Sequence, residues 1–290
     1  MTSAVPVPAR AQGPCGLVTA AAAAREHVRT RTPLVQCLTN EVTTNLVANA
    51  LLAIGASPAM TSVPGEAEQL AGAAGSVLVN LGTPSPDQRA SMGTTVAAAR
   101  RAGVPWVLDP VAVGVLSIRT RLADELLDAA PAVVRGNASE IRALAGLASA
   151  GRGVDAQDRV DDARAAACAV ARLTGGAVAV SGAVDLVAAQ AHVLRVTGGD
   201  VLLTTITGAG CALGGLTAAF AAVAEPAVAA IGASLSLALA AERAASSARG
   251  PASFQVALLD ELYRVRPDDL AERADRLTLE VDAVRVGADA

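Results

Sequence analysis

Thr207-Gly208-Ala209-Gly210-Cys211, running on into Ala212-Leu213-Gly214-Gly215-Leu216, joins a glycine-rich turn to the start of an apolar helix. Glycines at 208 and 210 permit a tight turn and a close backbone approach. The first N–H groups of the helix that follows have no intrahelical acceptor, so the junction is a ready cradle for an anion such as phosphate. Cys211 stands at its mouth, where the positive end of the helix dipole lowers a thiol's pKa and favours thiolate. The competing reading is an ordinary turn before a packed helix with a buried structural cysteine, and the surrounding chain has to decide between them.

Upstream of this loop, short apolar runs alternate with stretches of helical spacing. Strands are expected at 34–38, 76–80, 106–109, 132–135 and 177–180, with 192–196 extending the sheet. Helices are expected at 43–54, closed by Gly55, and at 91–103, 139–147 and 159–173. The alanine-rich stretch 217–241 is interrupted by Glu225-Pro226, which predicts two packed helices joined by a turn and not a membrane span. This order predicts an α/β fold with a mostly parallel sheet covered by helices on both faces. Ligands of such sheets bind at the carboxyl ends of the strands. Thr39-Asn40, Asn80, Asp109, Arg135, Ser181 and the 207–211 loop all fall there. No repeat or linker divides the chain, so residues 16–290 are expected to form a single domain behind a disordered, Pro- and Ala-rich leader at 1–15.

Composition narrows the partners. Of the 290 residues 52% are hydrophobic, yet Trp106, Tyr263, Phe220 and Phe254 are the only aromatics, so the core is built from Ala, Val, Leu and Ile. A net charge of −4 and so few stacking side chains argue against a nucleic-acid surface and for a small-molecule partner. Four cysteines without a C-x-x-C pair disfavour a disulfide framework or structural zinc and fit a reducing cytoplasm. Residues 14–24 lack the early basic cluster of a signal peptide.

Val134-Arg135-Gly136-Asn137-Ala138-Ser139-Glu140 sets an arginine, an amide and a carboxylate where a strand gives way to a helix. Asn137 with Glu140 is also the pattern of a capping box that needs no ligand. Arg135, costly beside a buried strand end without an anionic partner, suits phosphate. Asp109, closing Trp106-Val107-Leu108, is a candidate for water-mediated Mg²⁺ binding or a simple turn former before Pro110. As an acyl-transfer nucleophile Cys211 would need a histidine base, and His27 and His192 are not at strand ends. As a proton acceptor or relay for an attacking alcohol it needs none.

Together these residues resemble the hydroxyethylthiazole kinases. The likeness runs from about 33 to 262 through Cys37-Leu38-Thr39-Asn40, Ser57-Pro58-Ala59-Met60, Leu108-Asp109-Pro110, Arg135-Gly136-Asn137-Ala138-Ser139-Glu140, Gly151-Arg152-Gly153-Val154-Asp155 and Gly208-Ala209-Gly210-Cys211. The resemblance implies a ribokinase-like three-layer sandwich that transfers the ATP γ-phosphate to the alcohol of 4-methyl-5-(2-hydroxyethyl)thiazole, with Mg²⁺ as cofactor. It implies that Met60, Asn40 and Gly208 meet the thiazole and that Arg135 and Ser181 meet ATP. Gly208, Ala209, Gly210 and Cys211 would form the anion hole. Asp109, Asn137 and Glu140 would organise the metal and its waters, and Cys211 would be the catalytic residue where most ribokinase-like enzymes carry aspartate. Ala209 departs from the threonine that family members often have there. The resemblance further implies a homotrimer with sites between subunits. Kinases of hydroxymethylpyrimidine or pyridoxal, a nucleotide-repair dehydratase and a non-catalytic nucleotide sensor are the alternatives on the same scaffold.

Overall fold

The structure, a computed structural model, describes residues 13–146, 159–189 and 192–281. Its described strands form one sheet. The first six, β1 (Leu34–Leu38), β2 (Ser57–Ala59), β3 (Ser76–Asn80), β4 (Trp106–Asp109), β5 (Val133–Asn137) and β6 (Ala177–Ser181), pair in parallel. An antiparallel ribbon of β7 (Val184–Ala189), β8 (His192–Thr197) and β9 (Leu277–Val281) follows, giving the order β2-β1-β3-β4-β5-β6-β7-β8-β9. The parallel strands are near-continuous apolar runs because both faces are covered, and successive residues divide between two cores. Leu78, Val107 and Val133 face one core, while Val77, Val79, Leu108 and Val134 face the other.

Helices α1 (Pro14–Arg31), α2 (Thr44–Ile54), α8 (Ala209–Ala221), α9 (Pro226–Ser247) and α10 (Pro251–Arg264) cover the first face. The second is covered by α3 (Glu66–Ala71), α4 (Pro86–Ala102), α5 (Ser117–Leu127), α6 (Ala138–Leu144) and α7 (Arg164–Thr174). Gly55, at φ 91°, closes α2 as its position predicts. The break at Glu225-Pro226 separates α8 from α9. Although α9 is long and apolar enough by composition to cross a membrane, 78% of that window is buried inside the protein.

Several boundaries differ from expectation for identifiable reasons. Helix α4 begins at Pro86, five residues before the first apolar spacing, because Ser85 and Gln88 form a reciprocal capping box. Helix α1 opens at Pro14, so Pro14 and Cys15 are helical and do not belong to a disordered leader. Residues 1–12, and with them the rest of that leader, lie outside the described residues, as does the 151–155 motif. The span 159–173 divides into a 3-10 turn (Val160–Ala163) and α7. Strands β2, β7 and β9 carry no distinctive local signal; each forms because a neighbouring edge accepts it.

Small residues bring the first helical layer close. A Cβ on Gly232 would lie 2.6 Å from the Phe220 ring, so α8 and α9 meet through that contact. Phe220 is fully buried, and Phe220→Ala is expected to cost about 3–5 kcal/mol, lowering Tm by on the order of 10 °C. Thermal denaturation followed by circular dichroism measures this, and a shift under about 2 °C would show that the layer closes around the gap.

Candidate active site

Helix α8 starts abruptly because Gly208 adopts φ +89° and caps it without a side chain. A Cβ there would lie 2.8 Å from Thr43 Cγ2 and 2.9 Å from Thr43 Cβ, so both conformation and space select glycine. Gly210 is helical, and its lack of a side chain serves a different contact. A Cβ at 210 would stand 2.8 Å from Arg135 Nη1 and 3.2 Å from Nη2, so the guanidinium lies against the first turn of α8. One turn on, Gly214 lets the helix settle over β4, where a Cβ would be 3.2 Å from Asp109 Oδ2. Gly208, Ala209, Gly210 and Cys211, the residues expected to form an anion hole, thus share their surroundings with Arg135 and Asp109.

Arg135, on β5, donates from Nη2 to Ser181 Oγ at 2.7 Å, and its Nη1 is 3.6 Å from Asp109 Oδ1. The anionic partner that its burial demanded is therefore present within the chain. Asp109 is fully buried, and Asn80 Nδ2 donates to its Oδ2 at 2.6 Å. Burial pushes its carboxyl up to about 7, with Arg135 and Asn80 opposing the rise and Glu140 adding to it. Its Oδ1 has no hydrogen-bond partner, and neither does Arg135 Nε. Such buried orphan atoms are costly unless a ligand completes them.

Cys211 differs from its sequence expectation. The helix terminus predicted a lowered pKa, whereas burial first and the negative charge of Asp109 second hold the thiol above its ordinary value. Hydrogen bonds with Thr43 and Asn80 and the charge of Arg135 act in the other direction without reversing it. The first-turn dipole is real, but desolvation outweighs it here.

Asn137 and Glu140 form the capping box that their spacing allows. Asn137 Oδ1 accepts from Glu140 N at 2.9 Å and from Ser139 Oγ at 2.8 Å. Glu140 Oε2 accepts from Asn137 N at 2.9 Å, and its Oε1 accepts from Ala112 N at 2.9 Å. Ala112 has φ +62°, so Glu140 holds a strained turn in the loop that follows Asp109. Among the described residues no three His, Cys, Asp or Glu side chains gather as a metal group. Asp109 and Glu140 feel each other's charge, and the pair suits Mg²⁺ with water and phosphate completing its shell.

Asn40 and Met60 follow β1 and β2 at the same carboxyl edge of the sheet. Asn40 Oδ1 accepts from Val42 N at 2.9 Å, and its Nδ2 would meet a Cβ on Gly82 at 2.8 Å, which sets it close to Asn80. Met60 follows the edge strand β2, partly buried against the first core. In the sheet, β2 stands three strand spacings, about 14 Å, from the β4 that ends in Asp109. The Met60 loop is held from below. Gln36 Nε2 donates to Thr61 O at 3.0 Å, Ser91 Oγ donates to Ser62 O at 2.7 Å, and Gln88 Nε2 ties down Thr39 O at 2.8 Å.

The hydroxyethylthiazole kinase family matches residues 26–268, most of the described fold and the whole of this cluster. The chain belongs to the hydroxyethylthiazole kinase family. A relative named hydroxyethylthiazole kinase, from Kineococcus radiotolerans, is 54% identical over 257 residues, spanning 88% of this chain and 93% of its own. A solved structure of a hydroxyethylthiazole kinase protein from Pyrococcus horikoshii OT3 matches with a TM-score of 0.80 at 37% identity, covering 90% of this chain and 98% of that one. Pyridoxal kinase from Staphylococcus aureus in complex with pyridoxal matches with a TM-score of 0.56 at 18% identity over 72% of this chain and 87% of its own, a likeness of fold alone. The fold is ribokinase-like.

For this hydroxyethylthiazole kinase family member, Thr43 is the Cys211 partner that sequence reading left out of the site, and Asn80, placed at the right edge by sequence, received no role there. Asn80 carried a usable signal, a polar residue ending an apolar strand; Thr43 read as an ordinary helix start. The close approach at Gly210 yields an expected result. Gly210→Ala should push the guanidinium off its contacts and raise the KM for ATP about tenfold. Stability should fall, since losing the Arg135 contacts to buried Asp109 and Ser181 outweighs the helix gain of up to about 1 kcal/mol from alanine. Steady-state kinetics with a thermal melt test this, and an unchanged KM for ATP would detach Arg135 from nucleotide binding.

Proposed function

We infer that this kinase transfers the γ-phosphate of ATP to the primary alcohol of 4-methyl-5-(2-hydroxyethyl)thiazole, yielding the thiazole phosphate used to build thiamin phosphate. The observation that carries the reading is the convergence of Arg135, Asp109 and Cys211 on the first turn of α8 in a chain of this family. The alcohol oxygen forms a bond to the γ-phosphorus as the bond to ADP breaks, and the hydroxyl proton leaves toward Cys211 Sγ. Positioning and charge neutralisation dominate such transfers. Arg135 and Ser181 bind the nucleotide phosphates, and the backbone N–H groups of 209–211 stabilise the transferring group.

Asp109, with its orphan Oδ1, fits a divalent cation and would hold Mg²⁺, with Glu140 and Asn137 acting through water. Bound there, Mg²⁺ neutralises phosphate charge. Gly208, Asn40 and Met60 contact the thiazole, and membership of this family supports a homotrimer whose sites lie between subunits. Val42, Val63, Val115 and Ile118, 68%, 51%, 52% and 50% exposed, follow strands on the same edge and supply apolar surface for that contact. The shared sheet, with α1 from Pro14 packed on it, supports a single kinase domain. Free thiols at Cys15, Cys37 and Cys211 support a cytoplasmic location. The decisive experiment is a coupled ADP-release assay with Mg-ATP and a panel of thiazole, pyrimidine and pyridoxal alcohols. Preferential turnover of the thiazole supports the reading, and preference for another alcohol overturns it.

A further inference from the structure

Strands β6 and β7 form a tight hairpin whose ladder ends at Val180 and Leu186, which leaves Ser181 and Asp185 opposite each other at its turn end. Both carboxylate oxygens of Asp185 are engaged. Oδ1 accepts from Gly182 N at 3.0 Å, and Oδ2 accepts from Ser234 Oγ at 2.9 Å on α9. The turn is confined from the other side, since a Cβ on Gly182 would come within 2.2 Å of Val160 Cγ2. Ser181, at the start of this turn, is the residue that accepts from Arg135. Asp185 therefore ties the Arg135–Ser181 contact to α9, across the sheet from the helices that follow Arg135.

We propose that Asp185 is a positioning residue for nucleotide binding, holding the 181–184 turn so that Ser181 and Arg135 meet the phosphates together. This rests on the assignment of Arg135 and Ser181 as nucleotide contacts. Burial of a carboxylate is costly, and here burial holds the Asp185 carboxyl above its usual range while the hydrogen bonds from Gly182 and Ser234, and then the charge of Arg135, pull it down. An acceptor is what the turn needs: Gly182 N–H requires one, and Ser234 can donate to it or accept from an amide in its place. Asparagine keeps the Gly182 bond, and its Nδ2 can donate to the Ser234 hydroxyl; alanine loses both.

The test uses the full chain with Mg²⁺ and the non-hydrolysable analogue AMP-PCP, titrated calorimetrically, beside steady-state kinetics. Asp185→Ala is expected to weaken AMP-PCP binding and raise the KM for ATP about tenfold, with kcat and the KM for the thiazole alcohol changed less than twofold. Asp185→Asn is expected to stay within about threefold of wild type, and Ser234→Ala to show a two- to threefold loss. Unchanged AMP-PCP affinity in Asp185→Ala overturns the proposal, as does an equal rise in both KM values, which marks general loss of structure. An Asp185→Asn variant as impaired as Asp185→Ala also overturns it. Arg135→Ala keeps the two readings apart. If it too binds AMP-PCP normally, the nucleotide-site assignment fails; if it binds weakly while Asp185→Ala binds normally, only the role of Asp185 fails.

Discussion

Asp109→Asn should lower kcat by about 10²–10³, the loss seen when one preorganised electrostatic group is removed from a transition state. The substitution keeps the shape of the side chain and an acceptor for Asn80, but it removes the charge that faces Arg135 and the oxygen left unpartnered for a cation. Stability should respond in the opposite sense as pH rises. The folded carboxyl sits at about 7, above the ordinary range near 4, so it binds its proton more tightly than the unfolded chain does. Its contribution to stability is full below about pH 4 and is lost as pH climbs to 7, after which it stays lost. Thermal melts at pH 5 and pH 8 measure the difference. The variant's Tm relative to wild type should increase between the two, and a constant difference would mean that Asp109 is not held protonated by its surroundings. On the proposed role of Asp109, which uses its ionised form, kcat/KM of wild type should fall as pH drops through 7.

Cys211→Ala is the second large effect. A positioned proton acceptor is worth roughly 10²–10⁴ in rate, and a thiol held above its ordinary pKa belongs at the low end. The expected result is a fall in kcat of about 10² with the KM for ATP changed less than about threefold, because the backbone cradle survives truncation of the side chain. The pH profile discriminates further. If the thiol takes the proton, wild-type kcat continues to rise above pH 8 as thiolate forms, and the variant loses that rise. Equal turnover by the two proteins would remove Cys211 from the chemistry and leave the proton to solvent.

These expectations show where local reading succeeds. Strands 76–80 and 106–109 were legible to the residue because a strand covered on both faces must be continuously apolar and end at a polar residue. The capping box at Asn137 and Glu140 was equally legible, since its partners are three residues apart. Strand β9 was not, because it pairs with β8 some eighty residues earlier and its pattern acquires meaning only against that edge. Its anchoring is also long-range: Glu280 meets Arg195 at 2.7 Å and also pairs with Arg164.

By itself the sequence determined the alternating α/β order, the placement of Asn80, Asp109, Arg135 and Ser181 at strand ends and the need for glycine at 208, because each follows from neighbours along the chain. Tertiary structure alone decided that Arg135 faces Asp109 and that Gly210 yields space to a guanidinium. It also reversed the expected shift of the Cys211 thiol. A helix terminus is visible in a sequence, but desolvation and the charge of Asp109 depend on what the fold packs around the sulfur, and at this site they outweigh the dipole.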